Sequence, residues 1–254
     1  MKRLFQVGLA ILIVGLIALG VGGFNHGNKA VSFEGTKPVI VNKTWTRSKV
    51  VNKEFHQINA DLSSADVTIV RGNKFQIIYH GKNVPKIQVK NGQATIKQDA
   101  TDRQVGFHWS SSHYGNDTVT IVVPKGVKLS GRLSLSQGDL YLNNVELDQL
   151  TSSIDEGDVA VNNVNANSSQ FKLSEGDFRA HRLTVHHHCK VVNDEGDNTV
   201  RGVSAEGYYL RTDEGDNSLF HQEQDGEDQT VLQKNSHATN VLTLISSEGD
   251  NSIH

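Results

Sequence analysis

Hydrophobic and polar residues alternate with a period of two over much of the chain beyond residue 54. The segments 65–72, 75–81 and 117–124 alternate in this way or are rich in β-branched residues, which predicts strands. Residues 86–98 form two alternating runs around Asn91-Gly92. Because this dipeptide tolerates the positive φ of a type I′ turn, the sequence predicts a β-hairpin there. No later segment carries a long apolar stripe of helical period, so we predict an all-β fold.

A second, longer period appears in the C-terminal half. The glycines of a recurrent Gly-Asp motif are 19, 19, 20, 19 and 34 residues apart, which predicts a β-solenoid in which each repeat forms one coil of about 19–20 residues. We expect a corner of the coil at each glycine, because glycine adopts backbone conformations that other residues resist. These corner glycines are Gly138, Gly157, Gly176, Gly196, Gly215 and Gly249.

Apolar residues recur at fixed distances from the corner glycines. Two positions after the glycine stand Leu140, Val159 and Phe178, and four positions after it the residue is apolar in every repeat. Asn198, Asn217 and Asn251 replace the first of these apolar residues in the other repeats, so stacked coils would join the three asparagines into an amide ladder. The interval of 34 residues predicts an insertion, an acidic surface loop at 221–235.

The N-terminus predicts a membrane anchor. Lys2 and Arg3 precede residues 4–24, a run of 21 residues with one polar side chain, Gln6. As a helix this run would span about 30 Å, the thickness of the bilayer core. A cleaved signal peptide is the alternative. The positive-inside rule keeps the two basic residues in the cytoplasm, so we expect a single-pass protein of the cell membrane whose C-terminal part is extracellular.

Four segments follow from these patterns. They are a transmembrane anchor at 1–24, a mostly extended tether at 25–53 with a short strand at 39–41, an N-terminal β region with hairpins at 54–130, and the Gly-Asp solenoid at 131–254. The chain has a single cysteine, Cys189, so it cannot form an intramolecular disulfide.

The motifs also carry a resemblance to a known family. The segments ADVTIVRG (65–72) and VTIVVPKGVKL (119–129), followed by the Gly-Asp repeats, resemble the bacterial putative-adhesin family of β-strand-repeat proteins, a domain of unknown function. The resemblance covers about 54–254 and implies a right-handed β-solenoid, often membrane-anchored, with a role in adhesion. Related domains occur in envelope-stress response proteins of Gram-positive bacteria. No catalytic or binding residues come with the resemblance, and the chain departs from the pattern in the Glu before most glycines and in the insertion.

Charge divides the chain into two halves. Residues 1–130 contain 17 Lys and Arg against 7 Asp and Glu, whereas residues 131–254 contain 8 against 21. A basic half near the membrane would favour anionic lipid headgroups or an anionic envelope polymer. A solvated surface without a partner is the alternative. The basic residues are scattered and the domain is expected outside the cell, so we do not expect a nucleic-acid partner.

Two groups of residues are candidate metal ligands. Coils stacked in register would align Asp158, Asp177, Asp197 and Asp216, and Ca²⁺ accepts carboxylate oxygens from several chain positions. A solvated row of aspartates that caps the corners is the alternative. In the segment TVHHHCK (184–190), a strand would direct His186 and His188 to one side and His187 and Cys189 to the other, with His181 as a further candidate ligand. The alternative there is a polar strand face beside a buried thiol.

The sequence predicts a protein that is not an enzyme. It contains no G-x-S-x-G elbow and no phosphate-binding loop, and Cys189 lacks a recognisable nucleophile context. Two functions remain. One is an adhesin-like interaction protein that presents a rigid face to a ligand, such as a host surface. Trp109 and Tyr114, on a predicted exposed loop, are candidate contacts for a glycan or a protein, and packing over an edge is the alternative. The other is a regulatory or sensory module of the envelope stress response that acts through a membrane protein partner. Apart from calcium, no cofactor is expected.

Overall fold

The computed structural model describes residues 30–34, 37–41, 47–99, 117–226 and 228–254. The chain divides into two units. In the first, strands β1 (Ala30–Glu34) and β2 (Lys37–Val41) form an antiparallel hairpin, and β2 includes the strand predicted at 39–41. The predicted anchor at 4–24 lies outside the described residues. Within the described ranges, no helix is long and apolar enough to cross a membrane.

The second unit comprises residues 46–101 and 115–254. Its described strands join in one sheet of 19 strands, and the fold is all-β, as predicted. The strands are β3 (Arg47–Val51), β4 (Gln57–Leu62), β5 (Asp66–Gly72), β6 (Gln76–Gly81), β7 (Lys86–Lys90), β8 (Gln93–Lys97), β9 (Thr118–Pro124), β10 (Lys128–Gln137), β11 (Leu140–Asn143), β12 (Glu146–Glu156), β13 (Val159–Glu175), β14 (Phe178–Glu195), β15 (Asn198–Ser204), β16 (Gly207–Glu214), β17 (Asn217–Leu219), β18 (Gln222–Gln224), β19 (Thr230–Lys234), β20 (Val241–Glu248) and β21 (Asn251–Ile253).

Each central coil contains three extended segments separated by turns. In the coil that begins at Gly176, face A is 178–181, face B is 183–186 and face C is 189–195. Positive φ angles mark the turns between them, at Arg182 and His187. Apolar residues such as Phe178 and Leu183 point inward from each face and are buried. This alternation produces one continuous core, which is the β-solenoid that the repeat predicts.

Parallel pairing stacks the coils like on like. Val159 pairs with Phe178, and Val164 pairs with Leu183, so inward residues of one coil contact those of the next at a spacing of about 4.8 Å. Phe171 and Phe178 pack their rings 5.3 Å apart in this core. The interval of 20 residues has a local cause, since one additional residue of β14 lies between the partners of Asn167 and Ser169, at the turn that contains His187.

At its N-terminal end the stack departs from chain order. Strands β4 and β5 pair in parallel with β10 and β11 on one side and with β8 and β9 on the other. The predicted N-terminal β region and the Gly-Asp repeats are therefore one stack, without a boundary at residue 130. The hairpin predicted around Asn91-Gly92 is confirmed as β7 and β8, with φ of 50° and 74° at its turn. Strand β3 pairs with β6, so the folded unit includes residues 47–51 of the predicted tether.

The C-terminal end departs from chain order in the same way. Strands β20 and β21 pair with β14 and β15 on one side and with β16 and β17 on the other. The last coil of the chain thus lies between two coils that precede it in sequence. The insertion at 221–235 is not simply a loop, because it contributes β18 and β19, which pair antiparallel with β17 and β16. These strands cover the edge that β16 and β17, the outermost layer of the stack, would otherwise expose.

Candidate functional site

The Gly-Asp corners lie between face C of one coil and face A of the next. The six corner glycines have φ between 123° and 146°, a region in which other residues are strained. A side chain there would also collide with the coil below, since a Cβ on Gly176 would overlap the carbonyl oxygen of Gly157. The same contact recurs from Gly157 to Gly138 and from Gly196 to Gly176. Glycine is therefore required both by the turn and by the close approach of the coils.

Asp66 and the aspartates that follow the corner glycines form a hydrogen-bonded series, the aspartate ladder. In each step the backbone N–H of one aspartate donates to Oδ1 of the aspartate in the neighbouring coil, at 2.8–3.1 Å. In spatial order the members are Asp66, Asp139, Asp158, Asp177, Asp197, Asp250 and Asp216. The C-terminal coil places Asp250 between Asp197 and Asp216, so these two members are not direct neighbours.

A second row of carboxylates runs beside the ladder. Register places Glu156, Glu175, Glu195, Glu248 and Glu214 in consecutive coils. Arg179 counters part of this charge, because its guanidinium donates to Oδ2 of Asp158 at 3.0 Å and also to Oδ2 of Asp177. The corner edge is therefore strongly acidic, and we call these two rows together the acidic edge.

The aspartate oxygens are largely engaged within the protein. Each Oδ1 in the ladder accepts an N–H from the neighbouring coil, except at Asp216, and Oδ2 of Asp139 accepts the hydroxyl of Tyr141 at 2.8 Å. This bond to a carboxylate, with burial, raises the pKa of Tyr141 to about 12. Among the described residues, no three His, Cys, Asp or Glu side chains are arranged to hold a metal ion. Calcium binding by Asp158, Asp177, Asp197 and Asp216 and its alternative, a solvated row that caps the corners, both stay predictions.

Inside the same corner lies the predicted amide ladder. Nδ2 of Asn198 donates to Oδ1 of Asn251, and Nδ2 of Asn251 donates to Oδ1 of Asn217, each at 2.9 Å. Asn217 in turn donates to the hydroxyl of Thr230 in β19, at 2.7 Å. All three asparagines are fully buried. The amide ladder thus connects the last three coils to β19, the strand that covers the outermost of them. Their order follows from the position of the C-terminal strand β21 between β15 and β17.

Three further buried polar residues bind the corners and were missed by the sequence analysis. Each lies three positions before a corner glycine and donates to the carbonyl of a neighbouring corner glycine: Asn193 to Gly176, Ser246 to Gly196 and Thr212 to Gly249, at 2.8–3.2 Å. The signal was present in the sequence, since polar residues replace Leu135, Ile154 and Leu173 at this position. They satisfy carbonyl oxygens that the tight corner would otherwise leave unpaired.

The histidine segment forms a turn rather than the strand face that alternation predicts. His187 has a φ of 58°, and His186, His187 and His188 are all exposed. The additional residue of this coil disrupts the alternation. Burial raises the pKa of the Cys189 thiol to about 12, which leaves it unreactive near neutral pH. His181 lies at the end of face A, on the other side of the turn at Arg182. Trp109 and Tyr114 lie outside the described residues.

A polar groove follows face B across four coils. It has a volume of about 350 Å³ and is lined by Lys128, Glu146, Leu147, Asn165, Asn167, His186 and His187. Lys128, Glu146 and Asn165 are register neighbours, so parallel pairing alone aligns them along the groove. The acidic edge lies at the turn between faces C and A and does not border this face.

These features define a β-solenoid whose coils are joined by a Gly-Asp corner. The chain belongs to the Toastrack DUF4097 family, which matches residues 55–223. No curated protein shows significant sequence similarity to it.

Several solved structures match this chain over most of its length at low identity. A putative cell adhesion protein from Clostridium sporogenes ATCC 15579 is 11% identical over 82% of this chain and 98% of its own, with a TM-score of 0.44. A putative adhesin from Bacteroides fragilis NCTC 9343 is 12% identical over 82% of this chain and 95% of its own, with a TM-score of 0.28. A putative adhesin from Parabacteroides merdae ATCC 43184 is 10% identical over 84% and 97%, also with a TM-score of 0.28. With TM-scores below 0.5, these likenesses do not inform the function of this chain.

Proposed function

We propose that the chain is a non-enzymatic interaction module of the cell surface, an adhesin in the broad sense. The observation that carries this proposal is the in-register stack. Parallel pairing fixes outward side chains in rows, and the aspartate and amide ladders connect successive coils. A surface held in this way loses little conformational entropy when it binds a partner. The thiol of Cys189, the only cysteine of the chain, is fully buried.

The proposal includes a membrane anchor. Residues 4–24 would span the bilayer, with Lys2 and Arg3 in the cytoplasm and the folded unit outside. The edge strands β3 and β7 expose Arg47, Lys86 and Lys90. These cations favour anionic lipid headgroups or an anionic envelope polymer near the membrane. Most carboxylates of the acidic edge lie beyond residue 138 in the chain.

Cross-linking on intact cells tests this function. A photo-reactive residue in place of Thr199, on the outward side of face A, should capture partners from the envelope or from an added surface. Capture of a single membrane protein would favour the regulatory alternative instead. A chain that captures nothing, from this position or from Lys90, would contradict an interaction role.

The topology has its own test. Protease added to cells stripped of their wall should digest the folded unit while the cytoplasm stays intact. Mass spectrometry of the mature protein should find a chain that still contains residues 4–24. A mature chain that begins near residue 25 would show a cleaved signal peptide.

A further inference from the structure

We propose that the groove on face B binds a neutral oligosaccharide. This inference rests on the proposed interaction function and assigns it a site and a class of ligand. The polar groups that line the groove are an ammonium group, a carboxylate, two amides and two imidazoles. Sugar hydroxyls both donate and accept hydrogen bonds, so they require such a mixture of partners.

The hydrogen bonds at one end of the groove fix the orientation of its side chains. Nδ2 of Asn167 donates to Oδ1 of Asp148 at 2.7 Å, which directs Oδ1 of Asn167 toward His187. That oxygen is 2.7 Å from Nδ1 of His187. Because an amide oxygen only accepts, Nδ1 must carry the proton, and Nε2 is then the acceptor of the neutral ring. Asn240 holds the backbone of the turn, accepting the N–H of His187 at 2.8 Å.

Charge selects a neutral ligand over an ionic one. Lys128 and Glu146 are register partners in adjacent coils. Their positive and negative charges therefore offset each other within the groove. The acidic edge lies on another turn of the coil and contributes no carboxylate to the lining. Leu147 also lines the groove, but it is only 1% exposed, so the groove presents no large apolar side chain to an apolar peptide or lipid tail.

Calorimetry on the full-length chain tests the inference. The chain is kept in a phosphocholine detergent, whose headgroup contains no sugar, and is titrated with chitotetraose, maltotetraose or polyphosphate. We expect saturable binding of at least one neutral oligosaccharide and none of polyphosphate. The variants Asn165→Ala and His187→Ala should each weaken that binding about 3- to 10-fold, the loss expected for one hydrogen bond. His80→Ala, which changes an exposed histidine of β6, should bind as the unchanged chain does.

Two outcomes would overturn the glycan site. One is the absence of binding by both neutral oligosaccharides, whether or not polyphosphate binds. The other is neutral-sugar binding that neither groove variant weakens although circular dichroism shows both to be folded. Neither outcome bears on the cross-linking at Thr199. A chain that captures an envelope partner yet binds no oligosaccharide would keep the proposed function and lose this site.

Discussion

The backbone amide of Asp250 donates to Oδ1 of Asp197 at 2.9 Å, although 53 residues separate them in the chain. Asp216 is much nearer in sequence, but it donates to Asp250 instead, at 2.8 Å. The last coil of the chain is thus an internal layer with a neighbour on each side. Because coils contact only their neighbours, the coil that contains Asp216 has no place on the stack until the C-terminus has folded.

The amide ladder should be required for this arrangement. Replacing Asn251 by Leu keeps the volume of the side chain but leaves Nδ2 of Asn198, Oδ1 of Asn217 and the carbonyl of Arg211 without their partner. Each buried group left unpaired costs about 1–3 kcal/mol, so we expect the free energy of unfolding to fall by at least about 2 kcal/mol in urea titrations.

A matched control separates the ladder from general damage to this end of the stack. Ser218 is a neighbour of Asn217 in β17 and alternates to the other side of the strand. Ser218→Ala should change the free energy of unfolding by less than about 0.5 kcal/mol. Similar urea midpoints for Asn251→Leu and Ser218→Ala would show that the ladder contributes nothing to stability.

The sequence predicts the coil well but not the order of the coils. Alignment on the corner glycines places Phe178, Val191 and Leu210 in the core, because burial follows a strict alternation along each face. The order of the coils cannot be predicted in this way, because the coils that begin at Gly196, Gly215 and Gly249 carry the same pattern of Asn and aliphatic residues. Any sequence of these three would satisfy the pattern. Only the covering strand β19, which supplies Thr230, distinguishes the outermost coil.

The polar groove could not be found from periodicity. Its lining residues lie on four different coils, and they meet through register rather than through a motif. The interval of 20 residues did indicate that one coil holds an additional residue, but not where. The structure places it in the histidine turn, where positive φ at His187 ends the alternation that a strand would continue.

The corner glycines should be sensitive to a single methyl group. Gly176→Ala must accept both a positive φ of 131° and a collision with the carbonyl of Gly157. We expect it to lower the free energy of unfolding by more than about 2 kcal/mol, because backbone strain alone costs about 1 kcal/mol or more. Gly92→Ala is the control, since Gly92 also has a positive φ, of 74°, but its Cβ would meet open space. Equal losses in the two variants would show that stacking at the corner plays no part.

The aspartate ladder should depend on its acceptors more than on its charge. Asp197→Asn keeps an oxygen that can accept the N–H of Asp250 and removes one charge from a row of like charges. Asp197→Ala removes the acceptor as well. We expect the Asn variant to be at least as stable as the unchanged chain and the Ala variant to lose about 0.5–1.5 kcal/mol, both measured by urea unfolding. An Asn variant as unstable as the Ala variant would show that the charge itself is needed.

Calcium should have no specific effect on the folded unit. Oδ1 of Asp158, Asp177 and Asp197 already accepts a backbone N–H, which leaves few oxygens for a cation. We expect a chelator to leave the melting temperature unchanged. Millimolar calcium should raise it no further than sodium at equal ionic strength, because salt of either kind screens the acidic edge. A calcium-specific rise would instead establish the ladder as a metal site.

Tyr141 provides a test of the acidic edge at high pH. Its hydroxyl donates to Oδ2 of Asp139 at 2.8 Å, and Asp66 and Asp158 are also close enough to disfavour a phenolate, so its pKa is raised from 10.0 to about 12. A raised pKa means that the folded state holds the proton more tightly than the unfolded state does. The stability that Tyr141 contributes is therefore fully present below pH 10 and is lost as the pH rises toward 12.

Ultraviolet titration, taken as the difference between the unchanged chain and Tyr141→Phe, should show a phenolate midpoint near pH 12. In Asp139→Asn, which keeps an acceptor oxygen and removes the charge, that midpoint should move down toward 10.0. An identical midpoint in the two backgrounds would mean that Asp139 does not hold the proton of Tyr141.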